Sequence, residues 1–394
     1  MTTLCELAAP EQGRLRITAI KAVQVKSCSQ TLIKVETDAG IVGYGEAGGP
    51  GPMIRGNLRY LEPFLLEKDP LEIDRLYNAM INLQHPNRPH VPTISGVDIA
   101  LWDIAGKVLG RPVSQLLRGQ YRTEIPLYVN TPGPINWFDQ GECKAWAQQI
   151  ANHPYGWKAI KMSFRRLLGS ALPLDLMQVG RRSVMLRPSA LKVIGKGYEN
   201  CRAALDPAID MIVHCHNEFD LPSALGLVKA VAPIEPLWIE DLLPVPYSDT
   251  WKLLRAASPV PILTGEKLEL PREFLPFMVN GAVDMIQPDI LFAGGFTGGW
   301  KIAELADLFY IAVTAHNIGT VVQNAATAHY AASTRNFVMS ETRLGAGLTL
   351  DDMIEEELEV IDGKLRVPTG PGLGITVVEE AVRANMAEGE PYWD

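Results

Sequence analysis

The sequence has few cysteines, and none of them is arranged as a metal-binding or disulfide motif. The five are Cys5, Cys28, Cys143, Cys201 and Cys215. Their number is odd, they are far apart, and no two form a CxxC pair, so neither a disulfide framework nor a zinc–thiolate site is indicated. Because disulfides are rare in reducing compartments, the cysteine usage predicts a cytoplasmic protein.

The sequence also lacks an excess of basic residues and any long hydrophobic run. Lysine and arginine number 36 against 45 aspartate and glutamate residues, which gives a formal net charge of −9. Binding to nucleic-acid phosphates requires clustered basic residues, so this balance argues against a nucleic-acid partner. No apolar run is long enough to span a bilayer, and the N-terminal residues contain no signal-peptide pattern. We therefore expect no membrane partner.

The first third of the chain, residues 1–123, predicts a small α+β domain. Its strand-like segments are residues 17–26, 31–36 and 41–45, and the last two are joined by a hairpin turn at Asp38-Ala39-Gly40. The clearest helix is predicted to begin at Ser95, which forms a capping-box pattern with Asp98, and to end at Gly110.

From residue 124 to about residue 365 the sequence repeats a short apolar strand followed by a helical segment. The eight strand cores read IPLYVN, KAIKMS, DMIVHCH, LWIED, PILTGE, DMIQPD, IAVTAHN and FVMSE. A run of eight strand–helix units predicts a closed parallel (β/α) barrel, and therefore the α/β class.

Six successive strands end in an ionisable residue at a spacing of 23 to 27 residues, about one strand–helix unit. These residues are His214, Glu240, Glu266, Asp289, His316 and Glu341. The spacing predicts that all six lie at the carboxyl-terminal rim of the barrel, where active sites of this architecture are built.

Two pairs among these residues suggest chemistry. Glu240 and Glu266 could hold a divalent cation, which prefers carboxylate oxygens from separate rigid elements; alternatively, each could cap the following helix. His316 next to Asp289 could act as a general base, because the carboxylate would fix the imidazole tautomer. A purely structural His–Asp pair is the alternative.

Three further positions are open to two interpretations. His214 and His216 are two residues apart on one strand, so both are expected to point into the barrel, as a ligand and an acid or as a hydrogen-bonded core pair. Glu341 could donate a hydrogen bond to a developing oxyanion if it is protonated, or simply cap a helix. Residues 165–197 are rich in Arg and Lys and show poor helical periodicity, which predicts an irregular loop, either solvated or attracting an anionic substrate.

Longer motifs resemble the mandelate racemase subgroup of the enolase superfamily over nearly the whole chain. They include GYGEA and SGVDIALWDIAGKVLGRPVSQLLRG in the first third, and KAIK, WIED, TGE, QPDILFAGGFTGG and AHN in the barrel. The resemblance implies a modified TIM barrel with an N-terminal α+β capping domain, on which residues 366–394 pack back. It also implies α-proton abstraction by a base assisted by Mg²⁺.

Carried over by position, the resemblance assigns a role to each candidate residue. The metal ligands would be His214, Glu240 and Glu266, the base dyad His316 and Asp289, the eighth-strand acid Glu341, and a substrate-binding lysine Lys161. The family has a carboxylate where this chain has His214. A nitrogen ligand favours Mn²⁺ or another divalent cation as the alternative to Mg²⁺.

Two positions favour dehydration over racemisation. Ser163 occupies the place of the second base of racemases, and His216 matches the acid of gluconate- and galactonate-type dehydratases. We therefore expect a hydro-lyase that converts an acid sugar to a 2-keto-3-deoxy acid, with loops at residues 48–54 and 85–93 closing over it. The alternatives are an epimerase or cycloisomerase of the same subgroup, or a non-catalytic relative that binds an acid sugar. Family habit predicts a homo-oligomer.

Overall fold

The computed structural model describes residues 15–26, 29–83, 90–165, 167 and 185–393. The first part of the chain forms an antiparallel sheet of three strands in the order β1-β2-β3, covered by helices. The elements are β1 (Ile17–Gln24), β2 (Gln30–Thr37), β3 (Val42–Gly48), α1 (Gly51–Leu65), α2 (Ile73–Leu83), α3 (Val91–Leu109) and α4 (Val113–Leu117). The predicted hairpin turn is confirmed, with β2 and β3 paired in antiparallel register across Gly40.

The sheet packs directly on α3 because β3 presents glycines to it. A Cβ atom on Gly43 would lie 2.2 Å from the carbonyl oxygen of Ala100, and one on Gly45 would lie 2.1 Å from that of Gly96. No side chain fits at either distance, so the GYGEA motif brings β3 against the helix backbone. The following residue of the motif, Glu46, is thereby held deep in the interior.

The predicted start of α3 is wrong by one turn. The helix begins at Val91, with Pro92 in its first turn, where the missing amide hydrogen of proline costs nothing. Ser95 is therefore inside the helix and donates from Oγ to the carbonyl oxygen of Val91. The predicted end is confirmed, since Gly110 adopts the left-handed conformation with φ 63°.

The rest of the chain forms a closed barrel of eight parallel strands. They follow in sequence order from β4 to β11, and β11 pairs with β4 to close the ring. The strands are β4 (Glu124–Thr131), β5 (Ala159–Ser163), β6 (Asp210–His214), β7 (Ile239–Glu240), β8 (Ile262–Thr264), β9 (Met285–Ile286), β10 (Ala312–Ala315) and β11 (Phe337–Thr342). The predicted fold class is confirmed.

Helices surround the barrel and follow the strands. They are α5 (Gln140–Ala151), α6 (Pro188–Ala204), α7 (Leu221–Val231), α8 (Asp249–Ala257), α9 (Pro271–Val279), α10 (Gly295–Leu308) and α11 (Val321–Ser333). The barrel interior is packed by Tyr128, Ala159, Ile212, Trp238 and Leu263. These apolar side chains fill the inside of the barrel, so polar groups at the strand ends lie on a solid hydrophobic floor.

The prediction of an irregular loop at residues 165–197 is wrong for its last ten residues, which are helical. Helix α6 begins at Pro188 and buries Ile194, Tyr198 and Cys201, a helical spacing that the Lys and Arg residues on the exposed face obscure. Residues 166 and 168–184 lie outside the described residues.

The C-terminal residues pass over the N-terminal sheet after β12 (Val360–Ile361) and β13 (Lys364–Arg366). Met386, just beyond α12 (Glu379–Ala384), forms an antiparallel bridge with Val25. Glu379 accepts a hydrogen bond of 2.5 Å from the Lys34 ammonium. In the described part of the chain, no helix combines the length and apolarity needed to cross a membrane.

Two segments were predicted to be loops that close over a substrate, but parts of both are helical. Residues 51–54 form the first turn of α1, and residues 91–93 form the first turn of α3. Residues 84–89 lie outside the described residues.

Candidate active site

The structure brings the six predicted strand-end residues together at one rim of the barrel. His214 and Glu240 are the last residues of β6 and β7 and are paired in register, and Glu341 lies within β11. Glu266, Asp289 and His316 lie one to three residues beyond the ends of β8, β9 and β10. The six residues therefore lie at the end of the barrel where the spacing placed them.

His316 and Asp289 form a hydrogen-bonded pair. Nδ1 of His316 lies 2.7 Å from Oδ2 of Asp289, and Oδ1 of Asp289 accepts from the Gln323 side-chain amide at 2.8 Å and from the Leu291 backbone amide at 2.8 Å. Both carboxylate oxygens are thus engaged, which fixes the imidazole orientation and leaves Nε2 to face the barrel mouth. Burial raises the pKa of Asp289, although the His316 hydrogen bond opposes this effect.

Two more carboxylates face the free nitrogen of His316. Nε2 lies 3.4 Å from Oε2 of Glu266 and 3.8 Å from Oε2 of Glu341. Burial disfavours the imidazolium, but the negative charges of Glu266 and Glu341 outweigh it and raise the pKa of His316 to about 9. A positive charge introduced between these carboxylates would release the imidazole to act as a base.

Lys161 lies between two buried carboxylates on the opposite side of the mouth. Its ammonium is 2.8 Å from Oε1 of Glu240 and 2.8 Å from Oε1 of Glu341, and only 1% of its side chain is exposed. Burial alone would lower the pKa of Lys161, but the two carboxylates raise it above its ordinary value. Burial opposes ionisation of Glu240, whereas the charges of Lys161 and His214 lower its pKa to about 2.

His214 and His216 lie close together but contact different carboxylates. Their ring centroids are 5.7 Å apart; Nδ1 of His214 contacts Oε1 of Glu240, whereas Nδ1 of His216 lies 2.9 Å from Oε1 of Glu266. The strand ends at His214, so the prediction that both lie on one strand is wrong for His216, which follows in the loop.

One group of the described residues has donor atoms close enough together to hold a metal ion. Ligand atoms of His216, Asp241 and Glu266 all lie within 4.8 Å of one another. Only Glu266 of the three predicted ligands belongs to it. Oε2 of Glu240 and Oδ2 of Asp241 are buried and have no hydrogen-bond partner among the described residues. Convergent carboxylates with such open oxygens fit a divalent cation.

Asp241 and Lys267 are parts of the site that the sequence analysis missed. The Lys267 ammonium lies 2.7 Å from Oε1 of Glu266, 2.7 Å from Nδ1 of His216, 2.7 Å from Oδ1 of Asn217 and 3.6 Å from Oδ2 of Asp241. The available signal was that each follows a predicted ligand directly, in the motifs WIED and TGEK.

Lys267 affects the ionisation of its neighbours. The hydrogen bond to Glu266 favours protonation of His216, but burial and the Lys267 charge outweigh it and lower the pKa of His216. Burial and the Glu266 charge raise the pKa of Asp241 to about 7. For Glu266, burial is outweighed by the surrounding positive charges, first that of His316, which hold its pKa well below the usual range.

The place of a second base is occupied by a hydroxyl group. Ser163 is the last residue of β5 and is paired in register with His214. Its Oγ accepts a hydrogen bond from the Arg165 backbone amide at 3.3 Å. A serine in this position offers no group that can remove a carbon-bound proton at neutral pH, so position 163 supplies no base opposed to His316.

A cavity of about 740 Å³ adjoins the site through Lys267. It lies between the N-terminal domain and the barrel loops and is lined by Asn57, His90, Val245, Pro246, Tyr247, Lys267, Leu268, Glu269, Glu273 and Pro276. Its lining is mainly apolar, with polar groups from Asn57, His90, Lys267 and two glutamates, and its volume is that of a small-molecule pocket.

Two protein families match the chain. The family described as "Mandelate racemase / muconate lactonizing enzyme, N-terminal domain" matches residues 8–118. The family described as "Enolase C-terminal domain-like" matches residues 144–381. Together they cover both parts of the fold.

Individual proteins are similar over nearly the full length. A D-xylonate dehydratase of Haloferax volcanii is 32% identical, with 92% of this chain and 87% of the relative covered. A D-galactonate dehydratase of Xanthomonas axonopodis pv. citri is 28% identical, with 92% of each covered. A solved mandelate racemase/muconate lactonizing enzyme-like protein of Rubrobacter xylanophilus superposes with a TM-score of 0.87 at 26% identity, covering 96% of this chain and 99% of the other.

Proposed function

Because the chain belongs to the mandelate racemase/muconate lactonizing enzyme family of the enolase superfamily, we propose that it is an acid-sugar dehydratase. Its substrates would be aldonates of the D-xylonate and D-galactonate type. The reaction would remove the α-proton, expel the β-hydroxyl as water and leave a 2-keto-3-deoxy acid. The names of its relatives support this substrate class.

The observation that carries the proposal is the geometry of one base facing a carboxylate-rich mouth. Nε2 of His316 points to Glu266 and Glu341, while Nδ1 is fixed at 2.7 Å from Asp289. In its neutral form His316 would accept the α-proton at Nε2, and Asp289 would stabilise the imidazolium that results. Lys161 and Glu341, joined at 2.8 Å, would face the substrate carboxylate on the other side.

Glu240 and Glu266 with His214 would hold a divalent cation, whose chemistry when bound is to polarise the substrate carboxylate and make the α-proton more acidic. The open Oε2 of Glu240 supports this ligand set. The group of His216, Asp241 and Glu266 is the alternative set. A set with one imidazole favours Mn²⁺ over Mg²⁺ more than an all-carboxylate set does.

His216 would protonate the departing β-hydroxyl. About a third of its side chain is exposed at the mouth, and Lys267 is in hydrogen-bond contact with its Nδ1. Proton donation requires the imidazolium form, so a change in the contacts of Lys267 would control whether His216 can act as the acid. The expelled hydroxyl takes up that proton and leaves as water, and the remaining enol tautomerises to the keto acid.

The proposal is tested by incubating the purified chain with a panel of aldonates and aldarates in the presence of Mg²⁺, Mn²⁺ or Ni²⁺. Formation of a 2-keto acid is measured, together with exchange of the α-proton in heavy water by NMR. We expect keto-acid formation with at least one aldonate and none with His316→Asn. Exchange without keto acid would instead favour an epimerase or cycloisomerase, and ligand-induced stabilisation without exchange under every metal would favour a binding protein.

We further propose that the chain acts in the cytoplasm as a homo-oligomer. Support for a reducing compartment comes from Cys143, Cys201 and Cys215, which are buried free thiols. Sedimentation velocity at micromolar concentration tests the assembly, and a monomer under all conditions would contradict it.

A further inference from the structure

A carboxylate of the N-terminal domain is inserted into the first turn of a barrel helix. Glu46, the fourth residue of the GYGEA motif in β3, is fully buried. It accepts hydrogen bonds from the Thr320 backbone amide at 2.9 Å, the Thr320 hydroxyl at 2.5 Å and the Gln323 backbone amide at 3.0 Å. Thr320 is the N-cap of α11, so Glu46 satisfies amides that the helix itself leaves without partners.

A second side chain of the same helix turn, Gln323, contacts Asp289, which is the hydrogen-bond partner of the proposed base. The Gln323 side chain is fully buried and donates from Nε2 to Oδ1 of Asp289 at 2.8 Å. Its Oε1 has no hydrogen-bond partner among the described residues. Rotation of the amide by 180° would bring oxygen against the Asp289 carboxylate, so the charge of Asp289 sets the orientation of Gln323.

Gly319 packs closely against both Gln323 and Glu46. A Cβ atom on Gly319 would lie 2.1 Å from Oε1 of Gln323 and 2.5 Å from Oε1 of Glu46. The loop before α11 therefore closes on both side chains because residue 319 has none of its own. The result is a continuous row of contacts from Glu46 through Gln323 and Asp289 to His316.

We propose that Gln323 and Glu46 are positioning residues for His316, through which the N-terminal domain sets the orientation of the base. The role rests on the function proposed above. Glu46 fixes the first turn of α11, Gln323 on that turn fixes Oδ1 of Asp289, and Oδ2 of Asp289 fixes Nδ1 of His316. Neither residue touches the substrate in this scheme; both act through Asp289.

The contact between Gln323 and Asp289 can be removed by substitution, so its effect on His316 can be measured. Without Gln323, Asp289 keeps its bonds to His316 and to the Leu291 amide but loses the side-chain donor on Oδ1. The carboxylate is then held by one donor fewer, and the angle of the imidazole is fixed less tightly. Removal of an outer hydrogen-bond partner of a functional group typically costs about 10- to 100-fold in activity or affinity.

The first experiment needs no turnover. The Nδ1 proton of His316 is followed by NMR at low field, with the signal assigned by its loss in His316→Asn. We expect Gln323→Leu to shift or broaden this signal, and the control Gln148→Leu, an exposed glutamine on α5, to leave it unchanged. Glu46→Gln, which keeps one acceptor, should produce a smaller change in the same direction. An unchanged signal in Gln323→Leu would overturn the proposal.

The second experiment measures kinetics on whichever acid sugar is active. Gln323→Leu should lower kcat and the α-proton exchange rate about 10- to 100-fold, with KM and metal Kd within about twofold. In the His316→Asn background the same substitution should have no further effect on the residual α-proton exchange rate. Equal losses in kcat and in substrate binding, or additive effects in the double variant, would show that Gln323 has a structural role only and would overturn the proposal. Absence of exchange in the natural chain would contradict the proposed function instead, and the NMR result would still decide the positioning role.

Discussion

The Lys267 ammonium lies 2.7 Å from Oε1 of Glu266, the carboxylate that both candidate metal-ligand sets share. It also lies 2.7 Å from Nδ1 of His216. The side chain therefore supplies a positive charge where a divalent cation would need the same oxygen. A metal ion bound at this oxygen would displace the ammonium, and the adjoining cavity, which Lys267 also lines, offers space for it.

Replacement of Lys267 by methionine should strengthen metal binding. The substitution removes the competing charge and keeps most of the side-chain volume, so we expect Mn²⁺ to bind at least about tenfold more tightly, a change of about 1.4 kcal/mol. Calorimetric titration measures it, with Lys252→Met, an exposed lysine on α8, as the control. Weaker binding in Lys267→Met would show that the ammonium assists the metal site.

Replacement of His316 by asparagine should abolish proton abstraction while the fold is kept. Nδ2 of asparagine can still reach Asp289, but no group remains that can accept the α-proton. We expect loss of about 10²- to 10⁴-fold in the α-proton exchange rate, the usual contribution of a general base. His153→Asn, a ring packed on Tyr155 away from the mouth, serves as the matched control. Exchange that persists in His316→Asn would require another base.

Alanine substitutions at His214 and at His216 should separate metal binding from proton donation. If His214 is a ligand and His216 the acid, His214→Ala weakens metal binding, whereas His216→Ala keeps α-proton exchange and loses keto-acid formation. Metal affinity from thermal-shift titration and exchange from NMR are measured on both variants. Loss of metal affinity in His216→Ala alone would instead favour the His216–Asp241–Glu266 set.

Replacement of Lys161 by methionine should destabilise the whole chain. It leaves Glu240 and Glu341, both fully buried, without the ammonium that lies 2.8 Å from each. Breaking a buried ion pair by removing one partner typically costs about 3–5 kcal/mol. Urea denaturation at neutral pH measures the loss, and Lys158→Met, which breaks an exposed ion pair with Asp362, should have no measurable effect. Partial recovery is expected in Lys161→Met/Glu341→Gln.

The stability of the chain should fall below pH 6.5 because of His329. Burial lowers the pKa of His329 to about 4, although its bond to the Leu373 carbonyl opposes this. The unfolded chain takes up the proton near pH 6.5 and the folded chain only near 4, so stability present above pH 6.5 is lost as the pH falls between these values. The loss amounts to about 3 kcal/mol at pH 4. Urea denaturation at several pH values, compared with His329→Gln, isolates this contribution, and identical pH profiles would contradict it.

The sequence was sufficient to predict the barrel and the level of the site, because apolar strands ending in a polar residue recur at every strand–helix unit. It was also sufficient for the dyad of His316 and Asp289, whose strands are neighbours in the ring. The prediction of an acid-sugar dehydratase agrees with the similar proteins.

The site residues that were not predicted lie just beyond strand ends, where side chains no longer alternate between the two faces of the sheet. Side chains of adjacent strand residues point to opposite faces, so strand alternation alone would direct Asp241, next to Glu240, away from the barrel. Strand β7 contains two residues only, and Asp241 has a left-handed backbone with φ 53°. That turn of the backbone directs its carboxylate back to the site. No periodicity in a sequence reports a conformation of this kind.

Glu46 and Gln323 escaped for a different reason. They are separated by 277 residues and belong to different parts of the fold, and their contact depends on β3 approaching α3 closely through Gly43 and Gly45. A pattern within one element identifies a buried face but not the side chain that it will meet.

The closing pair of the barrel, β11 with β4, joins residues such as Glu341 and Tyr128 that are more than 200 positions apart. During translation the chain therefore contains the first seven barrel strands before the barrel can close. Until β11 is released from the ribosome, the Lys161 ammonium lacks the Glu341 carboxylate, and β4, the first strand of the barrel, keeps an open edge. We expect synthesis of this protein to depend on protection of that edge during translation, and truncation before residue 337 to give aggregates rather than a smaller folded domain.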